Sequence, residues 1–219
     1  KMSLELTKTQ DGSNTLKNTL LNDSYHSKYG AINESQHVFI NNGLKRINRN
    51  TCKLLEVGFG TGLNALLTKL HSEKNKIKIV YHAIENFPVP YNIYSNLNYS
   101  NQLKIDNQQF LRIHDLSWEE ETKLSEFFTI KKINFDFNKI NFEEKYDLIY
   151  FDAFSPSKQT EMWSEKNFKK LYECLNADAI LITYCAKGIV KRTLKKVGFN
   201  IFPLSGPTGK REITLACKN

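Results

Sequence analysis

Four short segments carry residues whose type and spacing suit chemistry. Cys52-Lys-Leu-Leu-Glu56-Val57 is a short apolar run that leads into Gly58-Phe-Gly60-Thr-Gly62, and Leu63 to Leu70 continues at helical spacing. Glycines between a strand and a helix allow a tight turn and let a nucleoside lie against the backbone. Glu85 closes the next strand-like run, Ile77 to Ile84, where a carboxylate can accept hydrogen bonds from both hydroxyls of a ribose. Asp136 stands at the end of a further run, Ile133 to Phe137, within reach of an adenine amino group. The run Asp147 to Phe151 ends in Asp152-Ala-Phe154-Ser-Pro156. Ligands of open α/β sheets bind at the carboxyl ends of strands, which sets Asp152 and Phe154 beside the reacting end of a bound cofactor. There an acid can take up the hydrogens of an amine while a ring supports a planar substrate, as in the Asp-Pro-Pro-Tyr motif of amino-group methyltransferases. The bare pentapeptide would also serve as an Asp-capped turn.

The third glycine narrows the choice of nucleotide. A nicotinamide loop reads Gly-x-Gly-x-x-Gly. Here Leu63 follows Gly62, so the third glycine comes one residue early. The spacing is that of S-adenosylmethionine enzymes, which cradle no pyrophosphate.

Charge is the second signal. The 219 residues include 31 Lys and Arg against 23 Asp and Glu, a formal net charge of +8. From Lys187 to Asn219 there are eight bases and one acid, Glu212. At 100° per residue, Lys187, Lys191, Arg192, Lys195 and Lys196 fall on one half-turn of a helix, while Val190, Leu194 and Val197 cluster on the other. A dry seam opposite a basic face suits phosphate contacts, although a solvated lysine face has the same pattern.

These residues need a scaffold of strands alternating with helices. Strand patterns recur at Ile133 to Phe137, Asp147 to Phe151, Ala179 to Tyr184, Asn200 to Leu204 and Glu212 to Cys217, with helices at Ser164 to Cys174 and Lys187 to Val197. The fold class is therefore α/β, a mostly parallel sheet covered on both faces, with the last two strands forming an antiparallel edge hairpin. Residues 4 to 18 suggest two short strands around an Asp11-Gly12 turn, followed by a helix from Glu34 through Val38, Ile40, Leu44 and Ile47. Residues 1–50 thus form an N-terminal hairpin and helix extension, 51–219 the catalytic domain, and 86–130 an insertion. A helix is expected in that insertion from Ser117, where Ser117 and Glu120 have capping-box spacing.

Composition excludes several classes. Hydrophobic residues make up 40% of the chain, enough for one sizeable core. No apolar run approaches the roughly 20 residues that span a bilayer, and no signal-peptide core opens the chain. A soluble, cytoplasmic protein with no membrane partner is expected. Four cysteines without CxxC spacing predict free, mostly buried thiols, and five histidines without ligand spacing give no support to a metal site. No G-x-S-x-G elbow supports a serine hydrolase.

Taken together, these residues resemble the bacterial tRNA 5-methylaminomethyl-2-thiouridine methyltransferases, of the MnmD type or the amino-terminal part of MnmC. The resemblance rests on Gly58-Phe-Gly-Thr-Gly-Leu-Asn64, Ile84-Glu-Asn-Phe-Pro88, Asp152-Ala-Phe-Ser-Pro-Ser-Lys158 with Glu161-Met162-Trp163, and Gly209-Lys-Arg-Glu212. The segment Tyr25 to Phe39, with Gly30 and Glu34, is similar to that family's entry to the fold. What the resemblance implies is a class I, Rossmann-like methyltransferase that uses S-adenosyl-L-methionine. Its substrate would be the primary amine of 5-aminomethyl-(2-thio)uridine at the tRNA wobble position. By position it implies Glu56, Gly58, Gly60, Gly62, Asn64, Glu85, Asp136 and Asp152 for the cofactor, with Asp152 and Phe154 as catalytic residues. Glu34, Lys158, Lys187, Lys191, Arg192, Lys195, Lys210 and Arg211 would serve the tRNA.

Many relatives carry a second, flavin-dependent oxidase domain. The length here matches the methyltransferase alone, so a stand-alone form without flavin is expected, its aminomethyl substrate supplied by another enzyme. Two departures bear on the shape of the substrate loop. Lys158-Gln-Thr-Glu-Met-Trp163 lacks a proline of the family pattern, and Gly206-Pro-Thr-Gly209 replaces a more basic turn. Other readings are an aminopropyltransferase of the spermidine synthase kind, a small-amine methyltransferase, and a tRNA-binding module without activity. The basic helix speaks against the first two. The last leaves the glycine loop, Glu85 and Asp152 unemployed.

Overall fold

Leu54 and Leu55 are neighbours in one strand, so they point to opposite faces of the sheet and both faces must be covered. The computed structural model, which describes residues 3–218, meets this demand with two apolar clusters. Leu54, Leu148 and Tyr150 belong to one, and Leu55, Ile149 and Phe151 to the other.

The chain opens with β1 (Leu4–Lys8), β2 (Asn14–Asn18) and β3 (Asp23–Ser24), a separate three-stranded antiparallel sheet, where sequence suggests two strands. Helix α1 (Ala31–Ser35) runs on into a wide π-helical turn, Gln36–Asn41, and a 3-10 turn, Leu44–Arg46, in place of one regular helix. The alternating part follows as β4 (Thr51–Val57), α2 (Leu63–Asn75) and β5 (Lys78–Glu85). Three short helices come next, α3 (Tyr91–Tyr94), α4 (Tyr99–Leu103) and α5 (Asn107–Asp115), then β6 (Glu121–Lys123) and β7 (Phe128–Asn134). The chain closes through β8 (Tyr146–Phe151), α6 (Glu165–Glu173), β9 (Leu175–Thr183), α7 (Gly188–Val197), β10 (Asn200–Ser205) and β11 (Glu212–Cys217).

The main sheet has eight strands in the order β10-β11-β9-β8-β4-β5-β7-β6. The five strands from β9 to β7 are parallel, and β11, β10 and β6 join antiparallel. From β4 the chain winds outward through β5 to β7, then crosses back to lay β8 on the other side of β4. That reversal opens a crevice at the carboxyl ends of β4 and β8. The edge hairpin and the two-faced parallel core agree with the sequence pattern, and Cys52, Cys174 and Cys185 are buried free thiols, with Cys217 half-buried.

Two expectations between residues 86 and 137 fail. No helix starts at Ser117: Trp118 bridges to Lys132, and Glu119 takes a left-handed φ of 68° while its N–H donates to Lys132 O at 2.7 Å. The helices of this segment lie earlier. The strand placed at 133–137 is β7, which ends at Asn134, so Asp136 stands beyond it and β7 begins inside the supposed insertion.

The first hairpin does more than pack. Helix α1 has no side-chain cap of its own, yet its first N–H groups are met by the hairpin turn. Thr9 Oγ1 accepts from Ala31 N at 3.2 Å, Ser13 Oγ from Ile32 N at 3.2 Å, and Asp11 Oδ2 from Asn33 N at 3.0 Å. Asp11 Oδ1 in turn accepts from Thr9 and Ser13. Burial raises the Asp11 pKa, but the bonds from Ser13, Asn33 and Thr9 outweigh it and hold the acid below its ordinary value. The approach is so close that a Cβ on Gly30 would lie 2.4 Å from Asp11 Oδ2. Asp11→Ala is expected to cost about 1–2 kcal/mol, the loss of a helix cap. It should appear as a lower urea midpoint with unchanged slope; an unchanged midpoint would show that water replaces the carboxylate.

Candidate active site

A cavity of about 860 Å³ opens over the crevice, a volume usual for small-molecule sites. Its floor is the glycine loop after β4. Gly58 has φ 95°, and a Cβ there would sit 2.6 Å from Asp152 O, so the two strand ends touch through backbone. Gly60 has φ 49° and lies against the Tyr25 ring, 3.0 Å from where its Cβ would be. Glu85, at the end of β5, accepts from Gly60 N at 3.0 Å through Oε2 and from Phe87 N at 2.9 Å through Oε1. Desolvation pushes the Glu85 pKa up, and these N–H bonds oppose the rise. Each oxygen keeps lone pairs for a further donor. Asp136 also lines the cavity, held below its ordinary pKa chiefly by the Asn138 N–H, which it accepts at 2.9 Å.

Asp152 follows β8, its N–H donating to Val57 O at 2.9 Å. Asn64, from the first turn of α2, stands between two acids, donating through Nδ2 to Asp152 Oδ2 at 2.8 Å and to Glu56 Oε1 at 2.9 Å. Glu56 is wholly buried and takes the Tyr81 hydroxyl as well, at 2.7 Å. Burial lifts its pKa well above the carboxylate range. Asn64 Oδ1 is buried with no hydrogen-bond partner among the described residues. Asp152 is pushed up to about 7, first by desolvation and then by Glu34, while Asn64 and Lys210 pull it down. Glu34, on α1, accepts from Ser27 N at 2.9 Å and from Lys210 Nζ at 2.5 Å. The Phe154 ring packs edge-on against Tyr25, centroids 4.9 Å apart, and its carbonyl accepts from Trp163 Nε1 at 2.8 Å.

Several expected site residues stand elsewhere. Glu56 lies behind Asn64 and does not line the cavity, and Gly62 starts α2 in a left-handed conformation against His114. Lys158 is exposed outside the cavity. Helix α7 buries Val190 and Leu194 as its periodicity requires. On its basic face Lys191 pairs with Glu212 at 2.6 Å and Lys196 with Glu165 at 2.7 Å, whereas Arg192 and Lys195 are exposed. Lys187 and Arg211 are exposed too, and of the basic set Lys210 alone lines the cavity. Sequence reasoning gave no role to Tyr184, Phe87, Phe135 or Met162, all on the cavity wall, and saw Tyr25 only as part of a longer segment. Tyr184 and Phe135 lie outside the motifs quoted for the site, and Phe87 and Met162 lie within motifs that gave them no role of their own.

Residues 104–219 match the family described as S-adenosyl-L-methionine-dependent methyltransferase. The chain belongs to this methyltransferase family. The methyltransferase is 29% identical over 214 residues to the tRNA 5-methylaminomethyl-2-thiouridine biosynthesis bifunctional protein MnmC of Marinomonas sp. (strain MWYL1), covering 88% of this chain and 31% of that protein. The MnmC of Cupriavidus metallidurans is likewise 29% identical over 211 residues, covering 89% and 31%. The chain thus spans about a third of the length of these relatives. In structure it is similar to MNMC2 from Aquifex aeolicus, with TM-score 0.80 at 23% identity over 99% of this chain and 70% of that one. It also shares its fold with spermidine synthase from Thermotoga maritima, with TM-score 0.57 at 13% identity, covering 100% and 75%. The fold is that of class I methyltransferases.

The methyltransferase's cofactor is S-adenosyl-L-methionine, and the cavity suits it. Gly58 and Gly60 line the cavity as a tight left-handed turn of bare backbone, and Glu85 offers spare acceptors. Among the described residues no group of three or more His, Cys, Asp or Glu could hold a metal ion, and no helix is long and apolar enough to cross a membrane. Gly58→Ala would force a non-glycine residue to a left-handed φ, a strain of order 1–3 kcal/mol, and drive its Cβ into the Asp152 carbonyl. Calorimetry is expected to show cofactor affinity at least about tenfold weaker, or ~1.4 kcal/mol. Unchanged affinity would mean that the loop yields without disturbing the cradle.

Proposed function

We propose that this methyltransferase methylates the primary amine of 5-aminomethyl-(2-thio)uridine at the wobble position of tRNA, giving the 5-methylaminomethyl nucleoside. The observation that carries the reading is Asp152 on the cavity wall. Its Oδ2 is tied to Asn64, and its Oδ1 makes no hydrogen bond among the described residues. The likeness to the MnmC proteins and the bases near the carboxyl terminus support the choice of a tRNA nucleoside over a small amine.

A free alkylamine is mostly protonated at neutral pH, the lysine reference being about 10.4. The site must therefore hold it neutral, with a lone pair aimed at carbon. When bound, S-adenosyl-L-methionine supplies an electrophilic methyl group on a sulfonium. Asp152 Oδ1 accepts an N–H of the amine and so turns the lone pair away from itself. Transfer would form the N–C bond as the methyl's bond to sulfur breaks, leaving a neutral thioether; nitrogen would gain the positive charge, and Asp152 would take the proton that the new secondary ammonium loses. Raised to about 7, the acid is still largely ionised above neutral pH and can accept the proton before it passes to solvent. Phe154, braced by Tyr25 and by the Trp163 hydrogen bond, offers a ring face for the uracil.

Labelled methyl transfer to bulk tRNA lacking the wobble methyl group, beside putrescine and spermidine, tests the reading. Transfer to tRNA alone is expected; transfer only to the polyamines overturns it. Asp152→Asn should leave folding and cofactor affinity near normal but slow single-turnover transfer by about 10²–10⁴. Equal rates from pH 6 to 9 would return Asp152 to a turn cap.

The exposed Arg192 and Lys195 remain the contact pair of α7, since Lys191 and Lys196 are engaged by acids. Replacing both by Ala should flatten the salt dependence of tRNA binding by roughly 0.7–0.9 log units per lost phosphate contact. An unchanged slope makes that face merely solvated.

A further inference from the structure

Lys210 does not sit like a phosphate contact. Its Nζ is 2.5 Å from Glu34 Oε2 and lies 4.2 Å from the centroid of the Tyr184 ring. The side chain is 28% exposed, and its Glu34 partner 8%. Tyr184 donates from its hydroxyl to the carbonyl of Ala153 at 2.9 Å, the residue after Asp152. The turn that carries Lys210 is itself pinned, because Gly209, with φ 82°, brings its backbone so close to the Tyr29 ring that a Cβ would fall 2.0 Å from it. Lysine, glutamate, tyrosine and aspartate thus all line the cavity from four separate elements, the first three in contact and the tyrosine bonded to the residue after the aspartate.

We propose that Lys210 is a positioning residue, clamped between Glu34 and the Tyr184 ring, whose charge neutralises Glu34 and so leaves Asp152 free to ionise and receive the proton of the target amine. This rests on the amine-methylation reading above and goes beyond it by moving Lys210 from the tRNA surface into the proton chemistry. Two carboxylates sharing a poorly solvated wall cannot both ionise cheaply without a cation between them. Glu34 raises the proton affinity of Asp152 and Lys210 lowers it.

Several other groups stand around Asp152. Glu56, behind Asn64, is held far above the usual carboxylate value by burial. Tyr184, just after β9, and Tyr81, in β5, are raised well above the usual phenol value, again chiefly by burial. His26, which faces Glu34 and Lys210 from the first sheet, is pushed down to about 4 by burial and is neutral above pH 6. Asp23 adds a negative charge on the Tyr184 side. Among the described residues that line the cavity, Lys210 is the one lysine or arginine.

The test compares Lys210→Met, Lys210→Arg and the double variant Glu34→Gln/Lys210→Met. Removing the cation alone should move the acid limb of single-turnover transfer up by about one pH unit, with rates converging on wild type near pH 9. Lys210→Arg should keep the wild-type limb, and the double variant, which removes both charges, should restore it. The ¹³C titration of the Asp152 carboxyl, assigned by its loss in Asp152→Asn, should move the same way and needs no substrate. The salt slope of tRNA binding should not change in Lys210→Met. A lower salt slope with unmoved pH limb and carboxyl midpoint would make Lys210 a phosphate contact and overturn the proposal. So would a loss of rate at all pH values that Glu34→Gln fails to rescue, or an Asp152 midpoint indifferent to Lys210. If wild-type protein methylates no aminomethyl-uridine tRNA, the substrate reading fails, and the carboxyl titration still decides the role of Lys210.

Discussion

The ends of β4 and β8 approach until a backbone carbonyl fills the place of a side chain, and the rest of the site follows from that contact. At this seam the winding of the sheet reverses, so no crossover helix covers it and a ligand can reach the backbone. Gly58 is required there by the nearness of the Asp152 carbonyl, before any ligand is considered. Asp152 is carried to the rim by the same geometry, its N–H anchored on Val57. The first turn of α2 then supplies Asn64, whose amide nitrogen donates to two carboxylates at once. The orphaned Oδ1 of that amide is the cost of holding both acids with one nitrogen.

Much of this was legible because it is local. Short apolar runs located β4, β5 and β8, strand patterns around a helix-free turn located the edge hairpin, glycine spacing located the cradle, and helical periodicity located α7 with its buried Val190 and Leu194. Where the reading failed, a long-range contact overrode a local preference. Ser117 and Glu120 have the spacing of a capped helix, yet Trp118 is drawn into a bridge with Lys132 and Glu119 is bent to a left-handed φ. The strand β7 was half hidden because Lys132 occupies an inward position between Ile130 and the strand end. A lysine there reads as a surface residue. It is 1% exposed, donates to the His114 carbonyl and lies 4.7 Å from the centroid of the Trp118 ring, and burial brings its pKa down to about 8.

The candidate site divides along the same line. Asp152, Glu85, Asp136 and Asn64 could be named from their place after a strand or a glycine. The roles of Glu56 and Gly62 changed, because a motif residue can serve the motif's own packing without facing a ligand. The basic residues show the limit of counting charge: a helical wheel cannot reveal that Glu212 and Glu165 engage Lys191 and Lys196, or that Glu34 draws Lys210 into the cavity.

The first hairpin deserves a different description from the appendage its position suggests. Because Thr9, Asp11 and Ser13 complete α1 from outside, and the stretch from Asn18 to Ser27 walls the cavity, the small sheet and the large one share ownership of a single chamber. Such a molecule is not modular. Grafting the Rossmann-like core alone onto another protein, or exchanging the amino-terminal sheet between relatives, would transplant the cradle without one of its walls. The smallest transferable unit begins at the first strand.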